Sequence, residues 1–185
     1  AERLKRDGKI LRWGVSNFDV DDMEELAALR GGDACAANQV LYNPESRGIE
    51  FDLIPWCRDQ AVPVMAYSPL GHSGRLLKNA AVARVAARHG VPAASVAIAF
   101  SLRLPGIISI PKSASQEHVR SNAAAARLVL SEADLAEIDY SQRPARAEIV
   151  AYFAELIRHC VKLGFRGFRC DAAYQIPGHL WGRLI

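Results

Sequence analysis

Short apolar runs alternate with longer stretches of helical spacing along most of this chain. Residues 10–15 form the first run, which ends in Ser16-Asn17. Residues 21–29 follow with Met23, Leu26, Ala27 and Leu29 at helical spacing, and Asp19 or Asp21 is placed to cap them. A second run, residues 35–42, comes after Gly31-Gly32. Residues 49–60 are again helix-like, and Pro55 is expected to kink or divide them. The third run, residues 62–67, ends in Ser68-Pro69-Leu70-Gly71. Two helical stretches follow: residues 79–89, stopped by Gly90, and residues 93–102, opened by Pro92. A fourth run, residues 107–110, ends in Pro111-Lys112-Ser113. Two more helices are predicted beyond it, one from near Ser115. The other opens on Ser131-Glu132-Ala133-Asp134, an approximate capping box. Residues 1–6 read as the last turns of a helix that Gly8 stops.

Strands joined by helices predict an α/β fold with a parallel sheet. The strands read as continuous apolar runs, as expected when both faces are covered. Four such units precede residue 143, where Arg143-Pro144-Ala145-Arg146 is the expected boundary. The 185 residues are enough for one hydrophobic core. They fall short of the roughly 250 that a closed (β/α)8 barrel uses.

Composition removes several partner classes. The 23 basic and 20 acidic residues leave a net charge of +3, with no basic stripe, so nucleic-acid binding is not expected. No apolar run reaches the roughly 18 residues of a membrane span, and the charged start lacks a signal-peptide pattern. Cys35, Cys57, Cys160 and Cys170 form no C-x-x-C pair and have no histidine at zinc-ligand spacing. They are expected to be reduced thiols of a cytoplasmic protein without a metal.

The candidate chemistry lies at the strand ends. In parallel α/β folds, ligands bind beyond the carboxyl ends of the strands. Here those ends carry Ser16 and Asn17, Asn38 and Gln39, Tyr67 and Ser68, and Lys112 and Ser113. Ser16, Asn17 and Gln39 offer neutral donors and acceptors suited to a carboxamide. Tyr67 offers a flat ring for stacking. Lys112 and Ser113, just before a helix start, make an anion site suited to phosphate. A ligand with a carboxamide ring at one end and phosphate at the other is a nicotinamide dinucleotide.

These residues also carry a family resemblance. Gly8-Lys9-Ile10 through Gly14-Val15-Ser16-Asn17-Phe18 resembles the strand-5 signature of the aldo-keto reductases. Asn38-Gln39-Val40 with Tyr42-Asn43-Pro44 resembles strand 6. Ala66-Tyr67-Ser68-Pro69-Leu70-Gly71 resembles strand 7, and Ile110-Pro111-Lys112-Ser113 with Asn122 resembles strand 8 and its phosphate helix. The likeness runs over residues 1–143 in the right order and spacing. It implies a partial (β/α)8 (TIM) barrel of strands 5–8, NADPH as cofactor, and reduction of a small carbonyl substrate to an alcohol. By that resemblance Ser16, Asn17 and Gln39 bind the carboxamide and Tyr67 stacks on the nicotinamide. Ser68 and Leu70 line the pyrophosphate, Lys112 and Ser113 take the 2′-phosphate, and Asn122 contacts adenine. The chain departs from the family pattern at His118, where many members have arginine, and at Ser121, where many have glutamate. NADPH preference is therefore expected to be weaker than in those members.

The resemblance places the family's catalytic tyrosine, lysine, aspartate and histidine on strands 2–4, which this sequence does not contain. None of Tyr42, Tyr67, Tyr140, Tyr152 and Tyr174 sits in the catalytic motif, so no catalytic residue is assigned. The chain is expected to be the cofactor-binding half, inactive alone. Its two open sheet edges are expected to promote self-association.

Residues 144–185 do not continue the likeness. An amphipathic helix is predicted over residues 148–163, with Ile149, Phe153, Leu156, Ile157, Cys160 and Val161 on one side and Gly164 as its stop. Residues 164–181, with Arg169 and Asp171 at the end of a predicted strand, resemble the strand-4 region of the α-amylase family of glycoside hydrolases. That resemblance implies a nucleophile at Asp171, held ionised by Arg169. A retaining glycosidase also needs a second carboxyl roughly 5 Å away, and the sequence offers no candidate in that family's order. A glycan-acting fragment and a non-enzymatic remnant or hybrid barrel are the alternatives to the reductase reading.

Overall fold

The computed structural model describes residues 1–72, 74–139 and 145–164. Its centre is a four-stranded sheet in the order β1 (Val15–Ser16), β2 (Asn38–Leu41), β3 (Val64–Tyr67) and β4 (Ile107–Ser109). Every pairing is parallel. This is the parallel α/β arrangement predicted from the alternating pattern, and it fits the partial (β/α)8 barrel that the family resemblance implies. Parallel neighbours demand crossover connections, and helices supply them here.

Each crossover starts and stops where the local chemistry allows. Helix α1 (Glu2–Arg6) is followed by Gly8 with φ +66°. Helix α2 (Val20–Ala28) opens on a full capping box, in which Asp19 accepts from the Asp22 amide and Asp22 accepts from that of Asp19. Helix α3 (Leu53–Asp59) is shorter than the predicted 49–60, and the division is not at Pro55. Residues Gly48–Glu50 form a separate 3-10 turn, and Asp52 caps a new helix. Pro55 then falls third in the helix, where its missing N–H has no helical partner to lose. The first helical bond comes from the Trp56 amide to the Asp52 carbonyl at 2.9 Å.

Helix α4 (Ala80–His89) begins at Asn79, whose side chain accepts from the amides of Ala81 and Val82, and ends at left-handed Gly90. Helix α5 (Ala93–Leu102) follows Pro92 and buries every residue from Ser95 to Ser101. It is apolar all round because it is packed all round. Burial of Val96, Ile98 and Phe100 stabilises by about 1.5–3 kcal/mol each. Helix α6 (Gln116–Ala124) starts at its N-cap Ser115. Helix α7 (Glu132–Ile138) opens on the Ser131–Asp134 capping box. Helix α8 (Ala145–Lys162) is followed by Gly164 at φ +95°.

The first strand departs most from expectation. The predicted run over residues 10–15 pairs only at Val15–Ser16. Trp13 donates to Glu2 rather than filling a strand position, and its carbonyl accepts from the Ala36 amide. Leu11 is 87% exposed, so the apolar count there overstated the strand. The boundary expected near residue 143 lies in 140–144, outside the described residues.

Core side chains come from alternate strand positions. Val40, Val64 and Ala66 face the helices and pack with Tyr42, Cys57 and Val96. Among the described residues no single helix is long and apolar enough to cross a membrane. The bent α4–α5 pair is apolar enough by composition, but it is largely core.

Candidate functional site

Register decides which strand-end groups can share a ligand. Ser16 pairs with Gln39, Gln39 with Met65, and Leu41 with Tyr67. Laterally paired residues present their side chains on the same sheet face, and alternation returns that face every second residue. Ser16, Gln39 and Tyr67 therefore occupy one face, opposite the helix-packed face of Val40, Val64 and Ala66. Ser16 is exposed, and Gln39 and Tyr67 are half-buried. Asn38, adjacent to Gln39, belongs to the other face. It is fully buried, and its Nδ2 donates to the Phe18 carbonyl at 2.9 Å. Treating Asn38 as part of the ligand face is thus corrected: it braces the loop after β1 instead.

That loop is tightly held. The Gln39 carbonyl accepts both from the Ser16 hydroxyl (3.0 Å) and from the Asn17 amide (2.9 Å). Asn17 adopts φ +58°, and Ser68, at the corresponding end of β3, adopts φ +49°. Left-handed backbone at non-glycine residues has an energetic cost and clusters at ligand-binding turns. The Ser68 turn is pinned in turn: its carbonyl accepts from Asn43 Nδ2 and from the Gly71 amide, both at 2.9 Å. Asn43 is 1% exposed and accepts from the Glu45 amide through Oδ1. The bracing roles of Asn38 and Asn43 were not foreseen, although both stand inside quoted motifs. Their amides make contacts 20 and 25 residues distant, which spacing alone does not reveal.

Beyond β3 and β4 the structure forms a pocket of about 360 Å³. Leu70, Lys112, Ser113 and Asn122, four residues selected from sequence, all line it, and so do His118 and Ser121. The pocket lies beside the start of α6. Ser115 caps that helix by accepting from the His118 amide, and Ser113 Oγ accepts from the Ser115 amide at 3.1 Å. Ser121 donates or accepts a hydrogen bond with Ser95 of α5 at 3.1 Å, so it ties the two helices together. The turn over residues 67–71 connects the Tyr67 face with the Leu70 side of the pocket. Sequence-selected residues thus fall into two joined groups: Ser16, Asn17, Gln39, Tyr67 and Ser68 at the strand ends, and Leu70, Lys112, Ser113 and Asn122 around the pocket.

Tyr42, outside these groups, is not poised as an acid. Tyr42 is fully buried, and burial pushes its hydroxyl well above the ordinary phenol range. Its Oη donates to Glu50 at 2.8 Å and accepts from Arg103. Glu50 is pushed up by burial, but its hydrogen bonds from Arg47 and Arg103 outweigh that and hold its carboxyl low. The Arg103 guanidinium also lies 3.8 Å over the Phe100 ring. This cluster locks the β2–α3 connection to the end of α5. Among the described residues no group of histidine, cysteine and carboxylate side chains could hold a metal ion.

Comparison with known proteins agrees with the architecture. The aldo/keto reductase family model matches residues 1–143. Methylglyoxal reductase YeaE of Escherichia coli is 53% identical over 142 residues, covering 75% of this chain and 50% of that protein. Glyoxal reductase of Bacillus subtilis is 34% identical over 146 residues, covering 78% of this chain and 51% of its own length. An aldo-keto reductase of Klebsiella pneumoniae, solved in complex with NADPH, superposes with a TM-score of 0.72 at 47% identity. That match covers 77% of this chain and 53% of the other. The chain therefore spans about half the length of the relatives it matches. Residues 165–185 lie outside the described residues, and the α-amylase resemblance found there draws no support from these matches. On the family match and the shared parallel sheet, this chain belongs to the aldo/keto reductase family.

Proposed function

We propose that this chain forms the NADP(H)-holding side of an aldo-keto reductase active site. The observation that carries this reading is the meeting of Leu70, Lys112, Ser113 and Asn122 around one pocket at the start of α6. They come from two strand ends and a helix, and their chemistry suits one phosphorylated nucleotide. Lys112 and the uncapped amides of the first turn of α6 would hold the 2′-phosphate, with Ser113 beside them. Asn122 would contact the adenine, and Leu70 and Ser68 would border the pyrophosphate. At the other end, Ser16, Asn17 and Gln39 would orient the carboxamide, while Tyr67 would lie against the nicotinamide ring. When bound, NADPH supplies the hydride that reduces a carbonyl carbon. The chain's residues contribute orientation: a ring fixed by its carboxamide and backed by Tyr67 presents one face only.

No residue of this chain is assigned as the proton donor. For the whole protein the names of the relatives favour a small carbonyl substrate such as methylglyoxal or glyoxal. The free thiols Cys35, Cys57 and Cys160 favour a cytoplasmic setting, and nucleic acid is not a proposed partner. NADPH titration of the 185-residue chain tests the cofactor reading. Bound NADPH is expected to perturb tryptophan emission and to raise the melting temperature. Saturation at about a hundred times Kd would add about 2.7 kcal/mol of stability. A chain indifferent to NADPH by both measures would contradict it.

A further inference from the structure

We infer that Asn38 and Asn43 are positioning residues for the dinucleotide, set along one strand so that it fixes both of the turns that the carboxamide and the pyrophosphate would meet. The inference rests on the NADP(H) reading above. Strand β2 lies between β1 and β3 and grips the chain on either side in the same way. On the β1 side, residues 38 and 39 hold residues 17 and 18. The Asn17 amide donates to the Gln39 carbonyl at 2.9 Å, and Asn38 Nδ2 donates to the Phe18 carbonyl at 2.9 Å. On the β3 side, residues 42 and 43 hold residues 67 and 68. The Tyr42 amide donates to the Tyr67 carbonyl at 3.4 Å, and Asn43 Nδ2 donates to the Ser68 carbonyl at 2.9 Å. Each clamp closes on a left-handed residue that is not glycine, Asn17 at φ +58° and Ser68 at φ +49°.

Neither asparagine lines the pocket, and both are buried, at 0% and 1% exposure. Packing does not account for an amide at Asn38. Its Oδ1 has no hydrogen-bond partner among the described residues, and a buried acceptor left so destabilises, where an apolar side chain of similar size would not. What the amide adds is the donor that the Phe18 carbonyl accepts. Left-handed backbone at asparagine or serine persists only where its surroundings over-determine it. A turn held in its binding geometry beforehand removes an ordering cost from binding. A turn competent only part of the time weakens the apparent affinity by that fraction. The loss falls on the ligand groups that meet these turns, the carboxamide at Asn17 and the pyrophosphate at Ser68. Adenine and the 2′-phosphate meet Lys112, Ser113 and Asn122 instead, after β4 and on α6.

Two ligands separate positioning from scaffolding: NADP+, and adenosine 2′-monophosphate, which carries the adenine and the 2′-phosphate but neither pyrophosphate nor nicotinamide. Both are titrated by calorimetry into the 185-residue chain and into Asn38→Leu, Asn43→Leu, Asn38→Ser and Asn43→Ser. Leucine matches the volume without the donor, and serine keeps a polar group too short to reach. NADP+ is expected to weaken by about five- to tenfold in each variant, the scale of one lost hydrogen bond, while adenosine 2′-monophosphate changes by less than about twofold. Its retained binding also reports that the variant is folded. Where a leucine variant loses both ligands, the serine variant at that position decides. Equal losses for the two ligands in both variants of a position, or unchanged NADP+ affinity, would overturn the positioning role there and leave the cofactor reading intact. An unsubstituted chain that does not bind NADP+ would overturn both.

Discussion

His89 Nε2, at the last residue of α4, lies 2.9 Å from the buried Oδ2 of Asp134 at the start of α7. Arg88 Nη2 reaches the other carboxylate oxygen at 2.8 Å, and the Ser131 hydroxyl donates to Oδ2 at 2.7 Å. One carboxylate thus closes the capping box of α7 and fastens α7 to α4. Hydrogen bonding from His89, then from Ser131, holds the Asp134 carboxyl well below the usual range despite its burial. A depressed folded-state value means stability that is complete above the unfolded value of about 3.9 and lost as pH falls below it. Thermal melts from neutral pH downward should show a loss beginning below about pH 4 that Asp134→Ala lacks. At neutral pH Asp134→Ala should cost about 2 kcal/mol, or about 4–8 °C in melting temperature, because donor groups on Arg88, His89 and Ser131 lose their shared acceptor.

Gly14 has no room for a side chain. A Cβ there would stand 2.5 Å from the Ala37 carbonyl oxygen, which itself accepts from the Val15 amide. Gly14→Ala should therefore push β1 from β2. The Ser16 and Asn17 contacts to the Gln39 carbonyl depend on that spacing. An overpacking cost of about 1–3 kcal/mol is expected, together with weaker dinucleotide binding. Chemical denaturation combined with NADPH titration measures both, and unchanged values in each would disprove the spacing argument.

Ala61 adopts φ +54° where the chain leaves α3 toward β3. A glycine tolerates that conformation without Cβ strain. Ala61→Gly should stabilise the protein by about 0.5–1 kcal/mol, net of the greater freedom it gives the unfolded chain. A lower denaturation midpoint would contradict this.

Much of this architecture was legible in the sequence, for physical reasons that differ by element. Helix limits at Asn79, Gly90, Pro92, Ser115 and Ser131 were readable because capping is local chemistry. The strand cores at residues 64–67 and 107–109 were readable because burial on the helix side demands apolar side chains. Strand β1 was not, since residues 10–14 pass Trp13 and Leu11 beside the sheet without pairing. The four pocket residues were visible as a motif set, but the opposite facing of Asn38 and Gln39 emerges only from register. The buried cluster of Arg47, Glu50, Tyr42 and Arg103 joins residues more than fifty positions apart, and no local pattern encodes it.

Edges β1 and β4 each lack a neighbouring strand in the described sheet. Ile108 on β4 is 47% exposed, and α8 exposes Tyr152, Phe153, Leu156 and Val161. Unpaired edges and exposed apolar faces favour association. Sedimentation of the 185-residue chain should give a species larger than its 20.2 kDa monomer. A stable monomer would show that these surfaces are otherwise satisfied.

The most direct test compares NADPH and NADH binding before and after Lys112→Ala. Lys112 is exposed, so its removal spares the core. If its ammonium meets the 2′-phosphate, NADPH should weaken by about tenfold while NADH changes little. Equal losses for the two dinucleotides, or none for either, would contradict a phosphate site at the head of α6.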